Sequence, residues 1–419
     1  MIYRLNLYIG IYTIPNIIQM INKLGLTCLM FLSVSGGPIG LETVFNYTDY
    51  YTAFKLLTWV LFTYMIPLAI MNYELIVKIS LEKEKIGPIE WVSHVLGKDA
   101  GIINSTWDII DTIIDNSIYP VIFADTVVSM GGTPENRILY GWGMILFVCF
   151  TINCEFESIA AIIQTSIVIL PFLTMWFMFD PNEMYMEPIE NKTDDIIKAL
   201  IVIIWNISGY DMAAPYALKV NKPRESYKFA FFINTTLVFC MYMISFSIGI
   251  SVLHKNTEWS DGSWIIIAKS IGGDWLGIVV GISIMLSALG TLTAELFSTI
   301  FLFKGLHDAG IGPKIFKNKK INLLINAVLL FASMFLNLNM LIQWSAILNS
   351  FTLLIECYVW YKVSGWTWVS VPCITFISLN SFVTMMSDDI NCILFTFLCL
   401  GLSLISWMTI NTKLLNVTN

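Results

Sequence analysis

The chain has 419 residues, of which 57% are hydrophobic and 13% are charged, and its formal net charge is -7 at pH 7. Soluble domains are about 45 to 50% apolar and about 25% charged, so this composition excludes a soluble enzyme. Twelve helices of about 20 residues would use roughly 240 positions, which fits the hydrophobic content. We therefore predict an all-α membrane protein with about 12 transmembrane helices.

The first half of the chain contains five predicted spans. Residues 1–23 are apolar but interrupted by Asn and Pro, and we expect a cytoplasmic or interfacial segment there. The third span, over about 101–128, contains acidic residues. The other four have no charged side chain and are long enough, or nearly so, to cross a bilayer: they lie at 24–41, 56–73, 138–154 and 158–179.

The second half is predicted to contain seven more spans. The sixth, over about 196–218, contains an acid. The uncharged run at 321–355 is too long for one crossing, and Asn337 with Asn339 predicts a turn that divides it into two spans. The remaining four are uncharged runs at 229–253, 275–294, 363–387 and 390–412.

The distribution of basic residues predicts the orientation. With the N-terminus in the cytoplasm, 17 of the 23 Lys and Arg residues fall on the cytoplasmic side and 6 on the outer side. This excess follows the positive-inside rule. We therefore expect a multi-pass integral membrane protein in a lipid bilayer, with both termini cytoplasmic and the plasma membrane as its location.

Acidic residues are unusually frequent inside the predicted spans or at their margins, where no Lys or Arg lies equally deep. A carboxylate at the centre of a membrane helix costs roughly 2.5 to 3.5 kcal/mol, so such groups must be protonated or face a cavity that accepts cations. Asp108 and Glu42 lie near span ends, where headgroup water is an alternative. The nine acids are Glu42, Glu74, Asp108, Asp111, Asp115, Asp125, Asp211, Glu295 and Glu356.

Two spans contain clusters of Gly and Pro. Span 1 has Ser35-Gly36-Gly37-Pro38 followed by Gly40, and span 6 has Ser208-Gly209-Tyr210-Asp211 followed by Pro215. Because Gly weakens a helix and Pro removes a donor, both spans are predicted to unwind there and to expose backbone polar groups. For either cluster alone, a kink or a packing notch is the alternative.

The two clusters lie five spans apart, and an odd offset inverts the topology. Spans 1 to 5 and 6 to 10 can therefore form inverted repeats in a LeuT-like fold, with the broken first members meeting at the membrane midplane. The predicted segments are a first repeat, a second repeat, two further helices and a short C-terminal tail, over 24–179, 194–362, 363–412 and 413–419.

Cysteine and histidine give no indication of a metal or cofactor. The eight Cys residues lie in or beside apolar runs without metal-ligand spacing. The three His residues, His94, His254 and His307, are far apart in predicted loops, so an acid-base enzyme site is not indicated. We expect no cofactor, no nucleic-acid partner and no enzymatic activity.

Several motifs resemble one known family in the same order along the chain. The run from Val34 to Glu42 reads VSGGPIGLE, and the run from Asp115 to Pro120 reads DNSIYP. Over about 24–362 the chain resembles the eukaryotic polyamine uptake permeases, a branch of the amino acid-polyamine-organocation superfamily. Later segments that carry the likeness are Trp205-Asn206, Tyr210-Asp211, Asn221-Lys222-Pro223, Gly312-Pro313-Lys314-Ile315-Phe316 and Glu356.

The resemblance implies five-plus-five inverted repeats, two further helices and transport by alternating access. Three departures accompany it. Leu218-Lys219-Val220 stands where the family has a GEV triplet, which reverses the charge at the expected cytoplasmic gate. Tyr210 replaces a Trp, and the fifth span lacks the Lys found in some proton-coupled amino acid permeases.

We expect a polyamine such as putrescine or spermidine to bind between the broken segments. Asp115 and Asp211 would pair with its ammonium groups, and Glu42 would hold one terminus or a coupling proton, with Glu74 as the second candidate for the proton. Backbone carbonyls of Ser35, Gly36, Gly37, Ser208 and Gly209 would accept the remaining N–H groups, with Gly40 close by. Aromatic faces for the cation would come from Tyr119, Trp205 and Tyr210.

Two other functions remain open from the sequence. A permease for cationic amino acids would use the same fold, with the substrate carboxylate docked on the N-terminal end of a half-helix. A nutrient sensor would bind without transport. Coupling to H+ is expected in the transporter because a desolvated carboxylate exchanges a proton readily.

Overall fold

The computed structural model describes residues 21–153, 157–180, 195–252, 259, 262–336, 338–365 and 390–417. These residues are predominantly helical, and the only strand-like pairing among them is an isolated parallel bridge between Ile21 and Val220. The N-terminal segment 1–20 and most of the predicted eleventh span lie outside the described residues.

Thirteen helices are labelled here in chain order within the described ranges. They are α1 Lys23–Val34, α2 Tyr50–Leu81, α3 Pro88–Leu96, α4 Lys98–Ser129, α5 Arg137–Asn153, α6 Glu157–Met178, α7 Ile196–Trp205, α8 Pro223–Val252, α9 Ser263–Gly272, α10 Asp274–Asp308, α11 Lys319–Ser333, α12 Leu338–Ser364 and α13 Ile390–Val417. Two 3-10 helices matter for the site, at Leu41–Asn46 and Tyr210–Tyr216.

Helices occur at eleven of the twelve predicted spans, and the remaining one, the eleventh at 363–387, lies almost entirely outside the described residues. Among the described helices, six are both long and apolar enough to cross a membrane: Tyr50–Leu81, Ile159–Met178, Ile196–Tyr216, Pro223–Val252, Asp274–Asp308 and Met340–Ser364. The described part of the chain is therefore predominantly helical, and its apolar helices are those of a multi-pass membrane protein. The short helices α3 and α9 lie in segments that the sequence placed between spans.

The first predicted interruption is present. Helix α1 ends at Val34, and regular helix resumes only as the 3-10 segment that begins at Leu41. Gly36 has φ +60°, and a Cβ there would lie 2.6 Å from the Thr291 hydroxyl, so only Gly fits this close approach. Its carbonyl accepts a hydrogen bond from Ser287. The unwound backbone is therefore stabilised by side chains of α10.

The second interruption is present as well, and it packs against the first. Helix α7 ends at Trp205, and the 3-10 helix begins at Tyr210. Gly209 has φ +87°, and a Cβ there would lie 2.5 Å from the Ser33 carbonyl oxygen. Tyr242 of α8 bridges the breaks, since its hydroxyl hydrogen-bonds with Ser35 and donates to the Asn206 carbonyl. The two unwound segments thus form one compact centre.

Candidate functional site

A cavity of about 70 Å3 lies between the end of α1, the second interruption and helices α4, α10 and α12. We call it the acidic cavity because six carboxylic side chains line it. Helix α4 supplies three of them, and three other elements supply one each. The six are Asp108, Asp111, Asp115, Asp211, Glu295 and Glu356.

The spacing of acids along α4 explains why they share a cavity. Asp111 lies three residues after Asp108, and Asp115 lies seven residues after Asp108. At about 3.6 residues per turn, these positions fall on one face of a helix. That face packs toward α10 and α12, which carry Glu295 and Glu356. The helical period of α4 therefore places its three acids on the face that lies toward the acids of α10 and α12.

Among the described residues that line the acidic cavity, none is Lys, Arg or His. Four of the six side chains, Asp108, Asp111, Glu295 and Glu356, are buried, with at most 8% exposure. The burial of Asp108 argues against its location in headgroup water. Because an unpaired buried carboxylate is costly, this cavity favours protons or bound cations.

Asp115 is held in place by two aromatic side chains. The indole N–H of Trp205 donates to its Oδ1 at 3.0 Å, and the hydroxyl of Tyr119 donates to its Oδ2 at 2.8 Å. Asp111 is oriented by Ser345, whose hydroxyl donates to its Oδ1 at 2.7 Å. These neutral donors fix the carboxylates without neutralising their charge, so both can still pair with a ligand ammonium.

Asp211 lies in the first turn of the 3-10 helix that follows Gly209. Backbone N–H groups at the start of such a turn point toward its carboxylate, and Met212 supplies one of them. Asp211 also lines a smaller cavity on its far side, with Ile86, Pro88 and Phe301. It therefore lies between the acidic cavity and this second, apolar space.

A separate outer cavity, named for the predicted outer side, has a volume of about 170 Å3. Gly40, Glu42 and Asp125 line it, and Trp205 lines both it and the acidic cavity. Asp125 forms a two-bond ion pair with Arg137. The Glu42 side chain is 1% exposed and accepts a hydrogen bond from the Gly262 N–H at 3.3 Å.

The sequence-predicted residues therefore divide by location. Seven line the acidic cavity: Ser35, Asp115, Tyr119, Trp205, Ser208, Gly209 and Asp211. Gly40 and Glu42 line the outer cavity. The carbonyls of Gly36 and Gly37 accept hydrogen bonds from Ser287 and Ser35.

Tyr210 and Glu74 lie elsewhere. The Tyr210 ring stacks on Phe231 at 5.8 Å between centroids, and its hydroxyl lies 3.0 Å from that of Thr235. Neither Tyr210 nor Glu74 is among the residues lining the described cavities. The Glu74 carboxylate accepts hydrogen bonds from Trp360 at 2.9 Å and Lys78 at 3.2 Å, as a side chain that braces helix packing would.

The expected site left out four acids that the structure brings to the cavity: Asp108, Asp111, Glu295 and Glu356. Asp108 and Asp111 lie within a predicted span, and Glu295 and Glu356 directly follow the uncharged runs that end at 294 and 355. The sequence did not show which helix faces meet, so the acids of the expected site were limited to Asp115 and Asp211, near the middle of their helices, and Glu42, just after the first Gly and Pro cluster. The period along α4 was the signal that could have added Asp108 and Asp111.

Lys219, the charge reversal noted in the sequence, lies just after the second interruption. Its ammonium group lies over the rings of Phe297 and Phe301, 4.7 and 5.7 Å from their centroids. Its carbonyl accepts a hydrogen bond from the Ile21 N–H. The aromatic faces of α10 therefore accommodate the Lys219 ammonium group.

Curated proteins with similar sequences are transporters by name. A probable polyamine transporter of Arabidopsis thaliana is 28% identical over 314 residues, which cover 72% of this chain and 62% of that protein. A polyamine transporter of the same plant is 26% identical, with coverages of 73% and 64%. One from Oryza sativa subsp. japonica is 26% identical, with coverages of 72% and 58%. The chain thus spans about three fifths of the length of these relatives.

The family comparison covers most of the chain. The sequence profile of the amino acid permease family matches residues 21–407, which include both interruptions and every acid of the acidic cavity. This agrees with the helical architecture and with the six long apolar helices among the described residues. The chain belongs to the amino acid permease family.

Proposed function

We propose that this protein is a secondary active transporter that imports polyamines by alternating access. The observation that carries the proposal is a single membrane-embedded cavity lined by six carboxylic side chains, with no Lys, Arg or His among its described lining residues. A ligand with several ammonium groups supplies the charge that such a cavity lacks. The printed names of the relatives support the same substrate class.

Asp115 and Asp211 are proposed to pair with ammonium groups. Both line the acidic cavity, and both are partly exposed rather than fully buried. Trp205 and Tyr119, which already bind Asp115, would lie against the methylene chain and add cation-π attraction. Ser35, Ser208 and Gly209 line the same space and would supply polar contacts.

The membrane architecture is part of the proposal. Twelve spans with cytoplasmic termini in the plasma membrane would place the first repeat at 24–179 and the second at 194–362, with two further helices at 363–412 and a tail at 413–419. The contact between the two interruptions at Gly209 and Ser33 supports this arrangement. Broken first helices of inverted repeats would meet in this way at the midplane.

Coupling to a proton is proposed at Glu42, with Glu74 as the second candidate. Glu42 is buried at the outer cavity, on the 3-10 segment that follows the first interruption. A pH gradient should stimulate uptake by the native protein, and Glu42→Gln should abolish the stimulation if Glu42 carries the proton. Loss of stimulation in Glu74→Gln instead would assign the proton to Glu74, and stimulation retained in both would refute both assignments.

Uptake of labelled spermidine into liposomes containing the purified protein tests the function. We expect saturable uptake that excess unlabelled spermidine inhibits and excess lysine does not. Asp211→Asn should reduce the apparent affinity at least about tenfold, because it removes one charged partner of an ammonium group. Unimpaired uptake with unchanged half-saturation in this variant would refute the pairing.

Two results would assign a different function. Inhibition by lysine and not by spermidine would indicate a permease for cationic amino acids. Saturable binding of spermidine without flux into liposomes would indicate a sensor.

A further inference from the structure

The acids of the acidic cavity form one connected electrostatic set, in which Asp111 interacts with both Asp108 and Asp115. Asp115 accepts hydrogen bonds from Trp205 and Tyr119. Glu356 interacts with Asp108. Position along α4 therefore defines a proximal end of the cavity at Asp115 and a distal end at Asp108 and Glu356.

Helix geometry gives the distance between the two ends. Asp108 and Asp115 are seven residues apart on the continuous helix α4. Seven residues correspond to two turns, so the side chains point in the same direction and lie about 10 Å apart along the helix axis. Glu356 of α12 approaches the same distal end from the facing helix.

The hydrogen bonding of the two ends differs. At the proximal end, both oxygens of Asp115 accept hydrogen bonds from protein side chains. At the distal end, Asp108 Oδ2 and Glu356 Oε2 are buried in the cavity wall without a hydrogen-bond partner among the described residues. These side chains are only 5% and 2% exposed. Buried carboxylate oxygens without a hydrogen-bond partner in the described residues indicate that the distal end can accept hydrogen bonds from a bound ligand.

We propose that Asp108 and Glu356 bind a second ammonium group and thereby make the cavity selective for triamines over short diamines, a specificity that rests on the polyamine function proposed above. The terminal nitrogens of putrescine are separated by five bonds of about 1.5 Å, which span roughly 6 Å when extended. Those of spermidine are separated by nine bonds, which span roughly 11 Å. Only the longer chain matches the separation of Asp115 from the distal end.

Binding of linear diamines to the purified native protein tests the distance without any substitution. Displacement of labelled spermidine by diamines with four to ten methylene groups should be most effective at seven or eight, at least about tenfold better than with putrescine. Alkyl monoamines of the same lengths control for apolar burial and should show no optimum. A steady decline with chain length, or an equal rise for the monoamines, would refute the proposal.

Glu356→Gln tests the distal residue with nearly unchanged side-chain volume. It should weaken spermidine binding at least about tenfold and leave putrescine binding within about twofold, while the exposed Glu135→Gln control changes neither. Unchanged spermidine binding, or equal losses for both amines, would refute the assignment. Failure of the native protein to bind any polyamine would instead refute the proposed function.

Discussion

Eight of the nine acids in or beside the predicted spans fall into two sets that differ in their partners. Asp125 pairs with Arg137, and Glu74 pairs with Lys78 and Trp360. The six acids of the acidic cavity have no Lys, Arg or His beside them among its described lining residues. Both sets are visible in the sequence as acids in or beside apolar segments, yet only the second lacks the protein cations that would neutralise it.

The difference separates structural acids from candidate ligand-binding acids. A paired acid already has its counter-ion, and its removal mainly affects packing and local stability. An acid in a shared cavity without a protein cation gains most from a cation that enters with the ligand. Substitutions in the two sets should therefore have different consequences for polyamine binding, and this difference can be measured.

Asp115→Asn should have the largest effect. It removes the charge at the proximal end while preserving the side-chain shape that Trp205 and Tyr119 contact. Removal of one partner of a buried charged pair costs about 2 to 5 kcal/mol, so spermidine affinity should fall by roughly 30-fold or more. Equilibrium binding of spermidine to the purified variant measures this loss of affinity. Native affinity in a folded variant would place Asp115 with the structural acids.

Trp205→Phe should have an intermediate effect. The substitution keeps an aromatic ring between the two cavities but removes the N–H that orients Asp115. A hydrogen bond to a charged group contributes about 1.5 to 3 kcal/mol, so we expect up to about tenfold weaker spermidine binding when part of this orientation is lost. Trp142→Phe, whose indole donates to the Phe331 carbonyl outside both cavities, is the matched control. Equal effects of the two variants would contradict a specific role for Trp205.

Glu74→Gln should have the smallest effect on binding. Its carboxylate braces α2 against α12 through Trp360, and its ion pair with Lys78 is partly exposed to solvent. We expect spermidine affinity within about twofold of native and a loss of at most about 1 kcal/mol in stability. Spermidine binding measures the affinity, and thermal unfolding of the same preparation measures the stability. A large loss of affinity at unchanged stability would remove the distinction between the two sets.

Much of the fold could be predicted because the relevant signals are local. Uncharged runs marked most helices, and the Gly and Pro clusters marked both interruptions, since each reflects the cost of polar backbone or charge in lipid. The mid-span position of Asp115 and Asp211 was sufficient to select two residues that line the same cavity.

Features that depend on how helices face one another could not be predicted in this way. Asp125 lies about 100° around α4 from Asp108, and 17 residues separate the two by about 25 Å along the axis, so Asp125 lines a different cavity. Its partner Arg137 is brought close only by the turn between α4 and α5. Tyr210 adjoins Asp211 in sequence, yet its ring points to Phe231 because the broken segment turns it there.

Competition between spermidine and its fully acetylated derivative tests the central claim most directly. Acetylation keeps the carbon chain but converts every ammonium group into a neutral amide. If the cavity carboxylates recognise charge, unlabelled spermidine should displace labelled spermidine from the purified native protein, whereas the acetylated derivative should not do so even at about hundredfold excess. Displacement by both compounds at similar concentrations would contradict charge recognition by the acidic cavity.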